Sequence, residues 1–317
     1  HYLLGTTVKV ADDQTGTQTI GTTLTASAAA KDKLYADYKD ATATEESFAQ
    51  TITISASGNV ITVYYTVLLT LTAKDASKTY DGAPLTQPGF DVTGLVNGDT
   101  KENFSLSMTA ESTITNAGTQ PNVINQNTVA YSRDGKTTLP GYYTVKYEPG
   151  MLTVNKITAK VTVTVTEKSG SATYDGEEHT VYGYETMTAN NDFYDVKTSV
   201  EETKTDTWTA KGTNVGTYPV GIKASDFKNI NKNFTNVEFV IVDGTLTITP
   251  ISGEIIITAA SESRPYDGTA LTNAGFTYTG TLVDGDTLKA VVEGSATNVG
   301  DEGTNVVKSY KVLRGTT

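Results

Sequence analysis

Hydrolysis needs two carboxylates held across a bond, or a nucleophile beside a base. This chain offers thin material for either. Its adjacent acidic pairs, Asp12-Asp13, Glu45-Glu46 and Glu201-Glu202, read as solvated surface charge. The two histidines, His1 and His179, stand far apart in the sequence, and a Ser-His-Asp triad around His179 is conceivable only on paper. Two histidines and no cysteine leave almost nothing to bind zinc. Asp284-Gly285-Asp286 could lend oxygens to calcium, but the fuller loop pattern is missing and a β-turn is the better reading. A buried lysine, neutralised by desolvation, could join an asparagine as an isopeptide cross-link, with Lys74 and Lys160 as candidates. Trp208 is the only tryptophan and fits a sugar platform less well than a core. Tyr64-Tyr65 and Tyr142-Tyr143, if in strands, send one ring to each face and so leave one ring of each pair exposed. No catalytic residue, cofactor or metal is expected.

Composition narrows the partners. The chain has 317 residues, a net charge of −12 and a pI near 4.7, which argues against an electrostatic hold on nucleic acid or an anionic membrane. Without cysteine it has no disulfides, the usual staples of small extracellular domains. No stretch approaches the roughly 20 apolar residues of a membrane span, so no direct membrane insertion is expected. The sequence opens at His1 with neither Met nor a signal peptide, and those elements are expected upstream. Leu139-Pro140-Gly141 is followed by Tyr142 rather than Thr-Gly, and is rejected as a sortase signal.

The strongest pattern is a repeat. Tyr80-Asp81-Gly82, Tyr174-Asp175-Gly176 and Tyr266-Asp267-Gly268 recur at nearly equal spacing, and the period is that of whole small domains. Each is followed, well before the next copy begins, by a Thr-Asn-x-Gly segment, with Asn116-Ala117-Gly118, Asn214-Val215-Gly216 and Asn298-Val299-Gly300 as its last three residues. Gly150-Met151-Leu152-Thr153-Val154 and Gly244-Thr245-Leu246-Thr247-Ile248 close the first two copies. By the same spacing the third copy closes beyond Thr317, so an incomplete third module is expected. The tyrosines read as anchors at the core edge with wet hydroxyls, Asp-Gly as the turn beneath each, and each Thr-Asn-x-Gly as a turn. In these turns the Asn binds nearby backbone and the Gly takes positive φ.

The elements that carry these signatures read as strands. Val161-Thr162-Val163-Thr164-Val165-Thr166 alternates with period two, as do Leu69-Thr70-Leu71-Thr72 and Leu246-Thr247-Ile248. Before residue 68 the character changes. Short strands surround an Ala-rich segment, Ala26–Lys33, the one credible helix, which suggests a small α+β domain. Boundaries fall at Val67/Leu68, Asn155-Lys156-Ile157 and Thr249-Pro250-Ile251, with linkers short enough to make a monomeric rod.

The three signatures together resemble the MBG/YDG-type modules of Gram-positive surface adhesins. The segment 1–67 resembles the mucin-binding-protein (MucBP) type through Gly5-Thr6-Thr7-Val8-Lys9-Val10 and Gly58-Asn59-Val60-Ile61-Thr62-Val63-Tyr64-Tyr65. Copies one and three share Leu95-Val96-Asn97-Gly98-Asp99-Thr100 and Leu282-Val283-Asp284-Gly285-Asp286-Thr287, which the middle copy replaces with Val181-Tyr182-Gly183-Tyr184-Glu185. The expected fold is mainly β, an elongated tandem array of small β-sandwich or β-grasp-like modules. Residues 1–67 form the MucBP-like α+β module, 68–155 and 156–249 two complete β modules, and 250–317 a third cut short at its C-terminus. The resemblance implies a non-catalytic stalk or adhesion segment at a bacterial cell surface, with host mucin or other glycans as partners. The alternative is a set of accessory modules of a large secreted carbohydrate-active enzyme.

Overall fold

The computed structural model describes residues 1–29, 33–204, 208–301 and 305–315. The fold is mainly β, built of many small sheets. Contacts divide the chain into two units, His1–Thr158 with Lys232–Thr235, and Ala159–Asn231 with Asn236–Thr317.

The first unit is organised around one strand, Tyr64–Ala73. Its residues Tyr65, Val67, Leu69, Leu71 and Ala73 are all buried, because period-two alternation turns every second side chain to the same face. Tyr2–Leu3 pairs parallel with its first residues and Thr42–Ala43 pairs antiparallel. Farther along, Tyr143–Glu148 pairs parallel with Val67 to Thr72, and Phe90–Thr93 antiparallel with Thr70 to Ala73. Val67/Leu68 therefore falls inside an unbroken strand, and the linker expected there does not exist. The apolar row runs through that point, so one core holds Leu3, Val10 and Tyr65 together with Val96, Phe104 and Tyr143. Ala26 to Ala29 forms no helix, and residues 30–32 of the expected Ala-rich helix lie outside the described residues. The α-helix of this region is Glu45–Phe48, one turn with two acidic residues at its start.

A second sheet closes the first repeat. Gly150–Asn155 runs parallel to Ala76–Thr79 and antiparallel to Gly118–Asn122. Leu152 and Val154 point inward and are buried, while Met151 is exposed, which accounts for the Gly-x-Leu-Thr-Val alternation. Glycine leads the strand because a Cβ on Gly150 would lie 2.5 Å from Ala73 O and 2.6 Å from Lys74 O.

Tyr142 and Tyr143 both lie buried, contrary to the expectation of one exposed ring. Tyr142 sits in a turn before the strand, so strand alternation does not govern it. Both hydroxyls donate to Asp99 Oδ2, at 3.0 and 2.8 Å, and Tyr131 donates to Oδ1 at 2.7 Å. Arg133 Nη1 reaches the same Oδ1 at 2.8 Å. Burial pushes the Asp99 carboxyl up, but Arg133 and the three hydroxyls outweigh it and hold it below the ordinary carboxylate range. Tyr131 is pushed up to about 12 by burial and by its bond to Asp99.

In the second unit, Val161–Glu167 repeats the central strand, parallel to Val237–Val242 and antiparallel to Tyr184–Ala189. Thr245–Thr249 closes this copy between Gly170–Thr173 and Gly216–Pro219. The third copy keeps Ile256–Ala259 paired with Phe276–Thr279, and adds the hairpin-like pair Asp286–Glu293 and Val306–Arg314.

Tyr143→Phe should cost about 1.5–3 kcal/mol at neutral pH, the worth of a hydrogen bond to a charged group. Since the folded Asp99 pKa is depressed, this network is fully stabilising above about pH 4 and is lost as pH falls through the folded value. Urea denaturation at pH 7 and pH 3 should show the gap between native and Asp99→Asn chains narrowing in acid; a constant gap would contradict an ionised Asp99. Gly150→Ala should lower stability by about 1–3 kcal/mol by overpacking, and an unchanged urea midpoint would remove the close-approach account.

Candidate functional site

The three Tyr-Asp-Gly segments adopt one turn. Each aspartate accepts from the backbone N–H two residues on: Ala83 N to Asp81 Oδ1 at 3.0 Å, Glu177 N to Asp175 Oδ1 at 2.9 Å and Thr269 N to Asp267 Oδ1 at 2.9 Å. Gly82, Gly176 and Gly268 follow with φ of 76°, 82° and 77°, a conformation that glycine adopts without steric cost. A cation or imidazole backs each carboxylate: Lys78 on Asp81 at 2.6 Å, His179 on Asp175 at 2.9 Å and Arg264 on Asp267 at 3.2 Å. The Thr269 hydroxyl adds a further bond to Asp267 Oδ1 at 2.7 Å. All three aspartates are held below the ordinary carboxylate range by these bonds. His179 thus serves the turn itself.

The tyrosines differ in what meets them. Within the first unit, Tyr80 stands edge-on to Phe234, with ring centroids 5.9 Å apart. Beside it, Ala117 N donates to Asn233 Oδ1 at 2.7 Å, and Asn233 Nδ2 donates to Asn116 Oδ1 at 3.1 Å. Within the second unit, the Tyr174 hydroxyl donates to both oxygens of Asp286, at 3.0 and 2.9 Å. Arg314 Nη1 lies 3.3 Å from Asp286 Oδ1 and donates to Asp284 O at 2.8 Å, while its Nη2 donates to Gly176 O at 2.6 Å. A Cβ on Gly176 would also push the Arg314 guanidinium out of this position. The Tyr174 hydroxyl is therefore tied down in part-buried bonds, and burial with Asp286 raises its pKa. Tyr266 is 64 % exposed.

The Thr-Asn-x-Gly segments are less uniform than their sequence. Gly118 and Gly300 have φ of 152° and 89°, but Gly216 opens the strand Gly216–Pro219 without positive φ. The Asn116 side chain takes Asn233, not nearby backbone. Asn214 contributes its carbonyl to the Tyr218 hydroxyl at 2.9 Å, and Asn298 donates its backbone N–H to Asp301 at 2.7 Å.

Several chemical readings fall away on geometry. Asp286 is committed to Tyr174 and a guanidinium, which takes the place a calcium ion would need. No group of three or more His, Asp or Glu able to hold a metal occurs among the described residues. Lys74 pairs with Asp91 at 3.2 Å and Lys160 with Glu238, both on the surface, so neither amine is desolvated for an isopeptide bond. Trp208 is 2 % exposed, stacks on Phe227 and donates from Nε1 to Asp226 Oδ2 at 3.0 Å, which makes it core; Asp206 and Thr207 lie outside the described residues.

The partners of Tyr80 and Tyr174 were not visible in the motif. One signal bears on the partner of Tyr174, though not on that of Tyr80: the Gly-Asp-Thr shared by copies one and three. It places Asp99 and Asp286 in corresponding positions, each bound to an arginine, Arg133 or Arg314.

Compared with known families, residues 69–153 match the MBG domain of the YGX type and residues 160–250 match the MBG domain. No curated protein matches the chain significantly. The first match runs from within the strand Tyr64–Ala73 into the closing strand Gly150–Asn155, and the second contains both Val161–Glu167 and Thr245–Thr249. Residues 69–153 and 160–250 are therefore MBG-type repeat modules, set in tandem.

Proposed function

We propose that this chain is a non-catalytic stalk or adhesion segment of a bacterial cell-surface protein, lying outside the cell at the wall. The observation that carries the reading is the Tyr174–Asp286–Arg314 joint. It ties the Tyr-Asp-Gly turn of one repeat to the Gly-Asp-Thr turn and the arginine of the next. A charge-assisted, partly buried joint holds orientation in a way that a free linker does not. Repeat modules that fold separately and fasten end to end give reach, which suits a monomeric rod. The resemblance of segment 1–67 to the MucBP type supplies the ligand half of the proposal: host mucin or other glycans.

The two halves separate experimentally. The chain lacks cysteine, so Thr188→Cys and Thr277→Cys give two unique spin-label sites on exposed positions. Their distance distribution should be narrow in the otherwise native chain and broaden with Asp286→Ala; a broad native distribution, or no change, would sink the spacing role. On a glycan array the intact chain should retain mucin-type glycans. Uniform silence would remove the ligand half.

A further inference from the structure

The three Tyr-Asp-Gly turns differ in the group that backs the aspartate. Lys78 and Arg264, behind Asp81 and Asp267, belong to residue types that are cationic at neutral pH. Behind Asp175 stands His179, an imidazole, the side chain that ordinarily changes charge between about pH 5 and about pH 8. The same turn carries the joint to the third repeat. Tyr174, before Asp175, gives its hydroxyl to Asp286, and Gly176, after it, accepts from Arg314 Nη2 at 2.6 Å. Asp175 Oδ1 meets both Glu177 N and His179 Nε2 at 2.9 Å. An imidazolium donates from both ring nitrogens and so always offers Oδ1 a proton. A neutral ring carries one such proton, and in one tautomer the Nε2 lone pair faces the carboxylate instead. Strand pairing keeps the ring beside the turn, since His179 opens His179–Tyr182 with Gly212 of Thr209–Gly212 opposite it. A Cβ on Gly212 would lie 2.3 Å from the Tyr218 ring, so that ring fills the place of a cross-strand neighbour of His179. The His179 side chain is 27 % exposed and open to exchange of protons with solvent.

We propose that His179 makes the joint between the second and third repeats responsive to pH. The imidazolium holds the Asp175 carboxylate, and with it the Gly176 carbonyl, where Arg314 takes it; loss of the proton loosens the fastening. The inference rests on the Tyr174–Asp286–Arg314 joint as the fastening of two repeats, and adds what controls it. The ionisable groups on the elements around His179 are Asp175, Glu177 and Glu178 on its own segment, Lys211 on the paired strand, Tyr218, and Arg314 with Asp286 of the third repeat. Lys211 is taken by Glu178 at 3.3 Å. Arg314 arrives together with Asp286, so fastening brings up a cation and an anion at once and adds little net charge beside the imidazole. The coupling therefore runs through the position of the Asp175-Gly176 turn. The turns at Asp81 and Asp267, backed by a lysine and an arginine, have no such response in this range.

Spin labels at Thr188→Cys and Thr277→Cys read the joint at about pH 5 and about pH 8. The narrow component of the distance distribution should shrink at least twofold at the higher pH, and His179→Lys should keep it at both. A native distribution that is equally narrow at both, yet broadens in Asp286→Ala, would overturn the switch and leave the joint standing. A distribution broad at both would remove joint and switch together, and a His179→Lys chain that still broadens at the higher pH would overturn His179 as the titrating group. Linkage requires the effect to run both ways. The chain has two histidines, so each ring can be followed in an NMR titration. Tyr174→Phe, which removes a bond of the joint without changing charge, should weaken proton binding at His179 at least twofold, about 0.3 of a pH unit, and leave His1 unchanged. An unmoved His179 midpoint would overturn the coupling.

Discussion

Each complete module depends on the burial of one strand between two others that come from distant parts of the sequence. The closing strand Gly150–Asn155 is hydrogen-bonded along both edges, to segments that begin at Ala76 and at Gly118. Until it docks, the wall segments have one unpaired edge each, and buried backbone groups without partners are costly. The glycine at its head is the steric condition for docking, since it must pass the last carbonyls of the central strand. Such long-range closure delays the gain from contacts until the loop entropy has been spent.

The second recurrent device is an aspartate held by an arginine. Asp99 and Asp286 each follow a glycine in a tight turn, and each turn also offers a carbonyl to the same guanidinium. In the first repeat the remaining lone pairs go to tyrosines of the same core. In the third they go to Tyr174 of the preceding repeat. One structural element thus serves as an internal pin in one copy and as a joint in another. A fork of planar donors can bridge a carboxylate and nearby carbonyls at once, which a lysine cannot do with the same geometry.

Much of this is legible in the residues, and the rest is not for definite reasons. The Tyr-Asp-Gly turn can be read because its bonds are local: aspartate to an amide two residues away, glycine in a left-handed conformation. The closing strands can be read from alternation alone. The partners of Tyr80 and Tyr174 lie far along the chain, at Phe234 and Asp286, and no local pattern encodes them. Alternation misplaces Tyr142 because that residue lies in a turn. Val67/Leu68 has the look of a seam because two sequence styles meet there, yet a period-two row is indifferent to style and continues through it.

The parallel pairing of the central strand with Tyr143–Glu148, and of Val161–Glu167 with Val237–Val242, has a mechanical consequence. Tension drawn through a module pulls the start of its central strand one way and the end of its closing strand the other, and each of these strands has a parallel neighbour. Parallel neighbours then slide lengthwise, and their cross-bonds are strained together in shear instead of parting one after another. A chain without disulfides gains from this a resistance to stretching that depends on strand direction alone.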